Sequence, residues 1–212
     1  MTEFEQNAVE ILLTSGPIVR GLTIAGVATG PAFGQGTVLF IHDIGSDLDE
    51  FGSLPGIVAA LGLDVVIVDL PGHGLSDGDE PDPSGCLAAV TEVLEGLADR
   101  APFGLVSVGH SATIGASLGR PQQVLTQLLI NPVLDEIVAA GAPRTHSVRL
   151  VLHGDGPEFV GTETQRFFSH LIGEKMLIFN ASVAGGPRQV ANLPTVQAHV
   201  ELFFKRYLNR QN

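Results

Sequence analysis

The sequence predicts an α/β fold in which helices flank a mostly parallel sheet of eight strands. Short apolar runs rich in Val, Ile and Leu recur along the chain, and Gly or Pro residues interrupt them. Segments with helical spacing separate most of these runs, which is typical of buried parallel strands joined by helices. The strands are expected at Val9–Thr14, Ile18–Ala28, Thr37–His42, Val65–Asp69, Gly104–Val108, Leu125–Ile130, Val148–His153 and Met176–Ala181.

The first two strands differ from the others. They are more polar, and only Ser15-Gly16-Pro17 separates them, so we expect an antiparallel hairpin at one edge of the sheet. The later strands are uniformly apolar and are expected to be central. Helices are expected at Asp49–Leu61, Cys86–Arg100, Ser111–Leu118, Val133–Ala140, Thr162–Ile172 and Thr195–Asn209, the last with apolar residues at three-to-four-residue spacing after Pro194.

Length and charge exclude several classes of protein. A chain of 212 residues is expected to form a single domain over residues 1–212. Its net charge of −12 repels phosphate backbones, so nucleic acid is not an expected partner. With 44% hydrophobic and only 16% charged residues, the chain is expected to be folded rather than disordered. The longest apolar runs, such as 65–68, are too short to span a membrane.

Neither a cofactor nor a metal is expected. Cys86 is the single cysteine, and the seven histidines show no paired metal-ligand spacing. Strand-linked Gly-x-Gly-x-x-Gly and Gly-Lys-Ser/Thr strings are both missing, which argues against a nucleotide cofactor. The lone cysteine and the acidic N-terminus, Met1–Glu5, favour a cytoplasmic location.

The sharpest chemical signal lies between Gly104 and Gly115. An apolar strand leads into Gly109-His110-Ser111 and then into an Ala/Gly-rich helix. A serine at such a junction is exposed at the carboxyl end of the sheet, beside helix N–H groups that favour developing negative charge. The same position also suits an ordinary helix-capping serine.

Two further strings follow buried strands. They are His42-Asp43-Ile44-Gly45 and Asp69-Leu-Pro-Gly-His-Gly-Leu-Ser-Asp77. In this order and at these separations, the three strings together resemble the α/β-hydrolase-fold superfamily, from about residue 17 to the C-terminus. The resemblance implies a serine hydrolase acting on a carboxylic ester or thioester.

The resemblance assigns roles to individual residues. Ser111 falls at the nucleophile position, and the backbone N–H groups of Ala112 and Ile44 would form the oxyanion hole. Asp43 stands where the family usually has Gly, so its carboxylate would either repel an oxyanion or face solvent. His42 and His73 are interpreted as structural members of their loops.

The acid and the base depart from the family pattern. Pro157 occupies the usual acid position, which leaves Asp155, Glu158 and Asp135 as candidates, with Asp155 favoured. Gly186 stands where the resemblance implies the catalytic histidine. His199 lies in the last helix, where a surface role is favoured, and His42 and His73 are the other candidate bases.

Two smaller departures concern packing and access. Thr113 replaces the fifth elbow residue, usually Gly, and its branched side chain is expected to crowd the helix against a strand. The segment 132–147 has room for only a short helix in place of a lid. An open mouth suits a bulky ester or a polymer- or protein-linked acyl group, and a second subunit of a homo-oligomer would supply the cover that a small-molecule substrate needs.

The sequence leaves open a non-hydrolytic enzyme, such as a lyase or isomerase, that uses the pocket and the oxyanion hole without a triad. It supports two other hypotheses more directly. One is a weak or specialised hydrolase that uses Ser111. The other is a non-catalytic relative that keeps the fold as a binding or scaffolding module, because Thr113, Pro157 and Gly186 stand at three positions that catalysis would constrain.

Overall fold

All eight predicted strands are present in one sheet. The computed structural model describes residues 4–27, 36–79, 82–118, 123–133, 147–154, 160–179 and 186–208, with residues 160–163 as backbone only. The strands are β1 (Gln6–Leu12), β2 (Ile18–Ile24), β3 (Thr37–Ile41), β4 (Asp64–Val68), β5 (Phe103–Val108), β6 (Val124–Ile130), β7 (Val148–His153) and β8 (Lys175–Phe179). Their order across the sheet is β1-β2-β4-β3-β5-β6-β7-β8.

The predicted edge hairpin is confirmed. β1 pairs antiparallel with β2 from Gln6↔Ile24 to Leu12↔Ile18, and β2 pairs antiparallel with β4. Every other neighbouring pair is parallel, so β3 to β8 all point the same way. The loops after β3, β4 and β5 therefore meet at one edge of the sheet, where sites in such folds are built.

Six helices flank the sheet in the described part of the chain. They are α1 (Leu54–Ala59), α2 (Pro83–Gly96), α3 (Gly109–Ser117), α4 (Val160–His170), α5 (Pro187–Val190) and α6 (Pro194–Tyr207). The helix predicted over 49–61 is divided into a 3-10 helix, Leu48–Phe51, and α1, because Gly52 adopts a φ of 55° between them. The helix predicted at Val133–Ala140 lies outside the described residues beyond Val133.

Apolar side chains cover both faces of the sheet. Phe40, Val65 and Ile67 pack with α1 and α6 on one face, whereas Leu39 and Val66 pack with α2 on the other. Alternate residues of β3 and β4 thus enter opposite cores, as strand geometry requires. None of the described helices is long and apolar enough to cross a membrane.

One large cation is buried beneath α3. The Arg149 side chain on β7 is fully buried and donates to Gln127 Oε1 at 2.8 Å, to the Ile172 carbonyl at 2.7 Å and to the Ala116 carbonyl at 3.2 Å. Burial lowers the pKa of Arg149 to about 10. The guanidinium thereby joins β6, β7 and the end of α3 in one hydrogen-bonded unit.

Candidate active site

Two histidines hold the loops after β3 and β4 together. His42 is fully buried; its Nδ1 donates to the Asp43 carbonyl at 2.7 Å and its Nε2 accepts from Leu70 N at 2.9 Å. The Nε2 of His73 accepts from Gly45 N at 2.9 Å. Burial lowers the pKa of His42, which keeps its ring neutral and able to accept. Both rings are therefore engaged in positioning backbone, as the sequence interpretation proposed.

Asp69 organises the loop after β4. Its carboxylate accepts from Leu48 N at 2.8 Å and from Leu75 N at 2.9 Å, which ties this loop to the 3-10 helix after β3. Gly74, at a φ of 50°, approaches the same carboxylate so closely that a Cβ atom would overlap it. The segment from residue 69 to residue 77 is thus a structural support for the site.

The sharp turn between β5 and α3 is centred on Gly109. Val108 is extended, Gly109 has a φ of 56°, and α3 begins at once. A nucleophile elbow places its reactive side chain at this strained strand-to-helix turn. Glycine adopts a positive φ at little cost, whereas a residue with a side chain is strained there by about 1–2 kcal/mol. Gly109 avoids this strain, and as a result no side chain projects from the residue at the turn.

The Asp43 carboxylate fills the space beside Gly109. A Cβ atom on Gly109 would overlap all three carboxyl atoms of Asp43, within distances that real Cβ atoms do not adopt. Asp43 Oδ1 accepts from Ile44 N at 2.8 Å and from His110 N at 2.8 Å. These two N–H groups, here called the donor pair, belong to the residue after the turn and to the loop after β3. They are the two positions from which an oxyanion hole is built in this geometry.

Two ionisable side chains, those of His110 and Glu50, lie next to Asp43. His110 is half-exposed, and its Nδ1 lies 3.3 Å from Asp43 Oδ1. Glu50 Oε2 accepts from Asp43 N at 2.8 Å. Burial, together with the nearby Asp43 carboxylate, raises the pKa of Glu50. The Asp43 side chain itself is 28% exposed, so the carboxylate is partly accessible to solvent, whereas Gly109 is buried.

Ser111 lies in the helix instead of at the turn. The sequence predicted a helix beginning at Ser111 with its hydroxyl exposed, but α3 begins two residues earlier, and Ser111 is completely buried. Its Oγ has no hydrogen-bond partner among the described residues, so none of the described imidazoles reaches it. Ala112, predicted to supply one oxyanion donor, is buried in the same helix, and the N–H next to the turn is that of His110.

The crowding predicted at Thr113 is not observed. Its Oγ1 donates to the Val133 carbonyl, which accommodates the branched side chain. The close approach of helix to strand occurs at Gly115, where a Cβ atom would overlap the hydroxyl of Ser107.

The structure describes both Gly186, where the resemblance implies the catalytic histidine, and His199, one of the candidate bases. Gly186 adopts a φ of 72° before α5, and a Cβ built on it would meet no atom of the described residues within 4 Å. His199 Nδ1 instead bonds the Thr195 carbonyl of its own helix at 2.7 Å. Arg188, two residues after Gly186, donates to the Asp49 carbonyl at 2.7 Å and 3.1 Å and so fastens α5 to the 3-10 helix.

Asp155, Glu158 and Asp135 lie outside the described residues, as does Pro157. Within the described ranges, His, Cys, Asp and Glu side chains form no group of three or more that could hold a metal ion.

Comparison with known proteins agrees with this architecture. A model of the alpha/beta hydrolase family matches residues 38–206. The chain belongs to this family. No curated protein matches the chain. The alpha/beta hydrolase fold and the eight-stranded sheet predicted from the sequence are thus confirmed.

Several solved alpha/beta hydrolase structures are similar in fold. A dienelactone hydrolase from Anabaena variabilis superimposes with a TM-score of 0.78 at 14% identity, over 97% of this chain and 99% of that one. A serine hydrolase without a lid from Xanthomonas campestris gives 0.76 at 16% identity, over 93% and 94%. An esterase from Pyrococcus furiosus gives 0.73 at 15% identity, over 96% and 91%. At these identities the likeness concerns the fold alone.

Sequence reasoning missed the role of Gly109, although a signal for it was available. The string Ser107-Val108-Gly109-His110-Ser111 offers both a serine and a glycine for the turn, and a positive φ favours the glycine. Asp43 is unusual in the sequence, but the direction of its side chain depends on a hydrogen bond from the N–H of His110, which lies 67 positions further along the chain.

Proposed function

We propose that this chain is a non-hydrolytic member of the alpha/beta hydrolase family that uses the fold to bind rather than to cleave. One observation carries the proposal: the Asp43 carboxylate accepts from both N–H groups of the donor pair and lies against Gly109, which has no side chain. The Asp43 carboxylate therefore takes up the space in which a nucleophile side chain would stand at the turn. It also occupies the donor pair, to which an oxyanion would bind.

Physical chemistry explains why such a site does not hydrolyse esters. Acyl transfer needs a nucleophile at the turn and free donors where the negative charge develops. Loss of a single oxyanion donor costs about 10²–10³ in kcat. Here both donors are engaged with a carboxylate, and an oxyanion would have to displace an existing negative charge to reach them.

The alternative is an ester or thioester hydrolase in which Ser111 is the nucleophile. Family membership and the unpartnered Ser111 Oγ favour it. Its burial opposes it, because the hydroxyl would have to leave the first turn of α3 to meet a substrate. Without a neighbouring base, a serine hydroxyl is also a weak nucleophile.

Two assays distinguish the non-hydrolytic proposal from a hydrolase that uses Ser111. One is covalent labelling with a fluorophosphonate probe, and the other is turnover of nitrophenyl esters and an acyl thioester. The wild type, Ser111→Ala and Ser117→Ala are compared, since Ser117 is a second serine on α3 that bonds the Thr113 carbonyl. We expect no labelling of any of the three and equal background turnover. Labelling that maps to Ser111, with turnover lost in Ser111→Ala and kept in Ser117→Ala, overturns the proposal.

A further inference from the structure

The outer edge of β8 is apolar and exposed. Among the strands that the structure describes, β8 pairs with β7 alone, so one side of its backbone has no partner strand there. The side chains of Met176 and Phe179 are both exposed. An exposed apolar edge strand is a template for pairing with another strand, and natural proteins cover such edges or place charges on them. The edge of β8 is therefore a candidate interface.

The one charged side chain of β8 is turned away from this edge. The Lys175 ammonium donates to the Phe168 carbonyl at 2.7 Å and to the Leu171 carbonyl at 2.6 Å, at the end of α4. The opposite edge of the sheet differs, because β1 exposes the polar Asn7 and the charged Glu10. Such side chains keep the strands of other molecules away, so β1 is protected where β8 is not.

The outward backbone groups of β8 fit a second copy of the same strand. Arg149 N of β7 donates to the Glu174 carbonyl at 2.9 Å, and this bond sets the alternation along β8. The N–H and C=O groups of Lys175, Leu177 and Phe179 consequently point away from β7. When two β8 strands run antiparallel about a two-fold axis at Leu177, Lys175 of one copy faces Phe179 of the other, and all these groups are paired.

The same pairing covers the exposed apolar side chains. Residues directly opposite each other share one face of the sheet, so Met176 of one copy would lie beside Ile178 of the other. On the other face, the Phe179 ring would lie beside the aliphatic part of Lys175. Each contact occurs twice because of the two-fold axis.

The distribution of charge favours a meeting of two copies at this edge. Residues 164–212 contain six Lys and Arg residues and two Glu residues, a net charge of +4, whereas residues 1–163 carry −16. β8 and β1 lie at opposite ends of the sheet, about 34 Å apart at the usual strand spacing. Charges are screened over about 8 Å at physiological ionic strength. Two copies joined through β8 thus keep their acidic β1 edges far apart.

We propose that this chain forms a reversible homodimer by antiparallel pairing of β8 with β8 of a second copy, with the two-fold axis at Leu177. The dimer goes beyond the proposed function and does not depend on it. A hydrolase that used Ser111 and a non-hydrolytic chain would both present this edge.

The mass of the full chain in solution tests the proposal. Sedimentation equilibrium across the micromolar range should show a wild-type mass that rises with concentration to twice that of one chain. Met176→Lys places a charge in both Met176–Ile178 contacts, so the dissociation constant should rise about 30-fold, as the loss of two cross-strand pairs does. Leu12→Lys is the matched control, because Leu12 is an exposed apolar residue of β1, and it should leave the dissociation constant unchanged.

Cysteine variants locate the axis. In the proposed register the two Leu177 Cα atoms are about 5.5 Å apart, which a disulfide spans, whereas the two Met176 Cα atoms are about 8 Å apart, which is too far. We expect Leu177→Cys to form a disulfide-linked dimer faster than Met176→Cys, although Met176 is the more exposed of the two; the native Cys86 is buried. A wild-type monomer throughout, a dissociation constant that Met176→Lys leaves unchanged or that Leu12→Lys raises equally, or a disulfide that forms no faster in Leu177→Cys overturns the proposal.

Discussion

Adding one methyl group at residue 109 tests whether the Asp43 carboxylate occupies the turn. The Cβ of Gly109→Ala would overlap the carboxyl atoms of Asp43, so the carboxylate has to leave the donor pair. The same substitution places a non-glycine residue at a φ of 56°. Gly109→Ala therefore lowers the free energy of unfolding in two ways, by displacing the Asp43 carboxylate and by straining the backbone.

The size of each cost follows from the contacts. The left-handed conformation costs alanine about 1–2 kcal/mol. Displacing the carboxylate breaks its bonds to Ile44 N and His110 N, and a hydrogen bond to a charged group contributes about 1.5–3 kcal/mol. Because Asp43 is 28% exposed, water replaces part of this, and we expect a total loss of about 3–5 kcal/mol in the free energy of unfolding.

A double-mutant cycle isolates the second cost. Asp43→Ala removes the carboxylate, so adding Gly109→Ala to it should cost only the conformational strain. We expect a coupling energy of about 2–3 kcal/mol between the two substitutions, measured by urea unfolding followed by circular dichroism.

The control for the cycle is another tightly packed glycine. Gly115→Ala overlaps the Ser107 hydroxyl instead of Asp43, so its effect should add to that of Asp43→Ala. If Gly109→Ala and Asp43→Ala are also additive, to within about 0.5 kcal/mol, the carboxylate does not lie at the turn and the reasoning fails.

Two further predictions concern buried charge. The raised pKa of Glu50 means that its protonation favours the folded state, so wild-type stability relative to Glu50→Gln should increase as the pH falls from neutrality toward 4.5, the ordinary pKa of Glu. Urea unfolding of both proteins across this range checks it, and a constant difference refutes it. Arg149→Met leaves buried acceptors without donors and should cost about 2–4 kcal/mol, whereas Met at the exposed Arg206 should cost less than about 0.5. Equal losses in the two unfolding curves contradict the role given to Arg149.

The elements of the fold were predictable because hydrophobic periodicity depends on local sequence. All eight strands and the antiparallel edge hairpin follow from apolar runs and from the turn at residues 15–17. The boundaries were less accurate. The helix after β5 begins at Gly109 instead of Ser111, because the backbone there needs a positive φ and glycine adopts it without a steric cost.

That difference of two residues changes the interpretation of the site. A helix starting at Ser111 would present its hydroxyl at the mouth, whereas a helix starting at Gly109 buries it. Gly115 packs tightly against Ser107 when the helix starts at Gly109. This contact joins α3 to β5, and the sequence around these residues does not show how the two elements pack against each other.

The amino-acid sequence alone was sufficient to place this chain in its fold and to mark Asp43 and Gly186 as unusual. Tertiary structure alone decided where the Asp43 carboxylate points. The reason is that its partners, Gly109 and the His110 N–H, are distant in sequence and reach it only because β3 and β5 lie side by side in the sheet. A carboxylate that would otherwise face water is held there by two backbone donors, the N–H groups of Ile44 and His110.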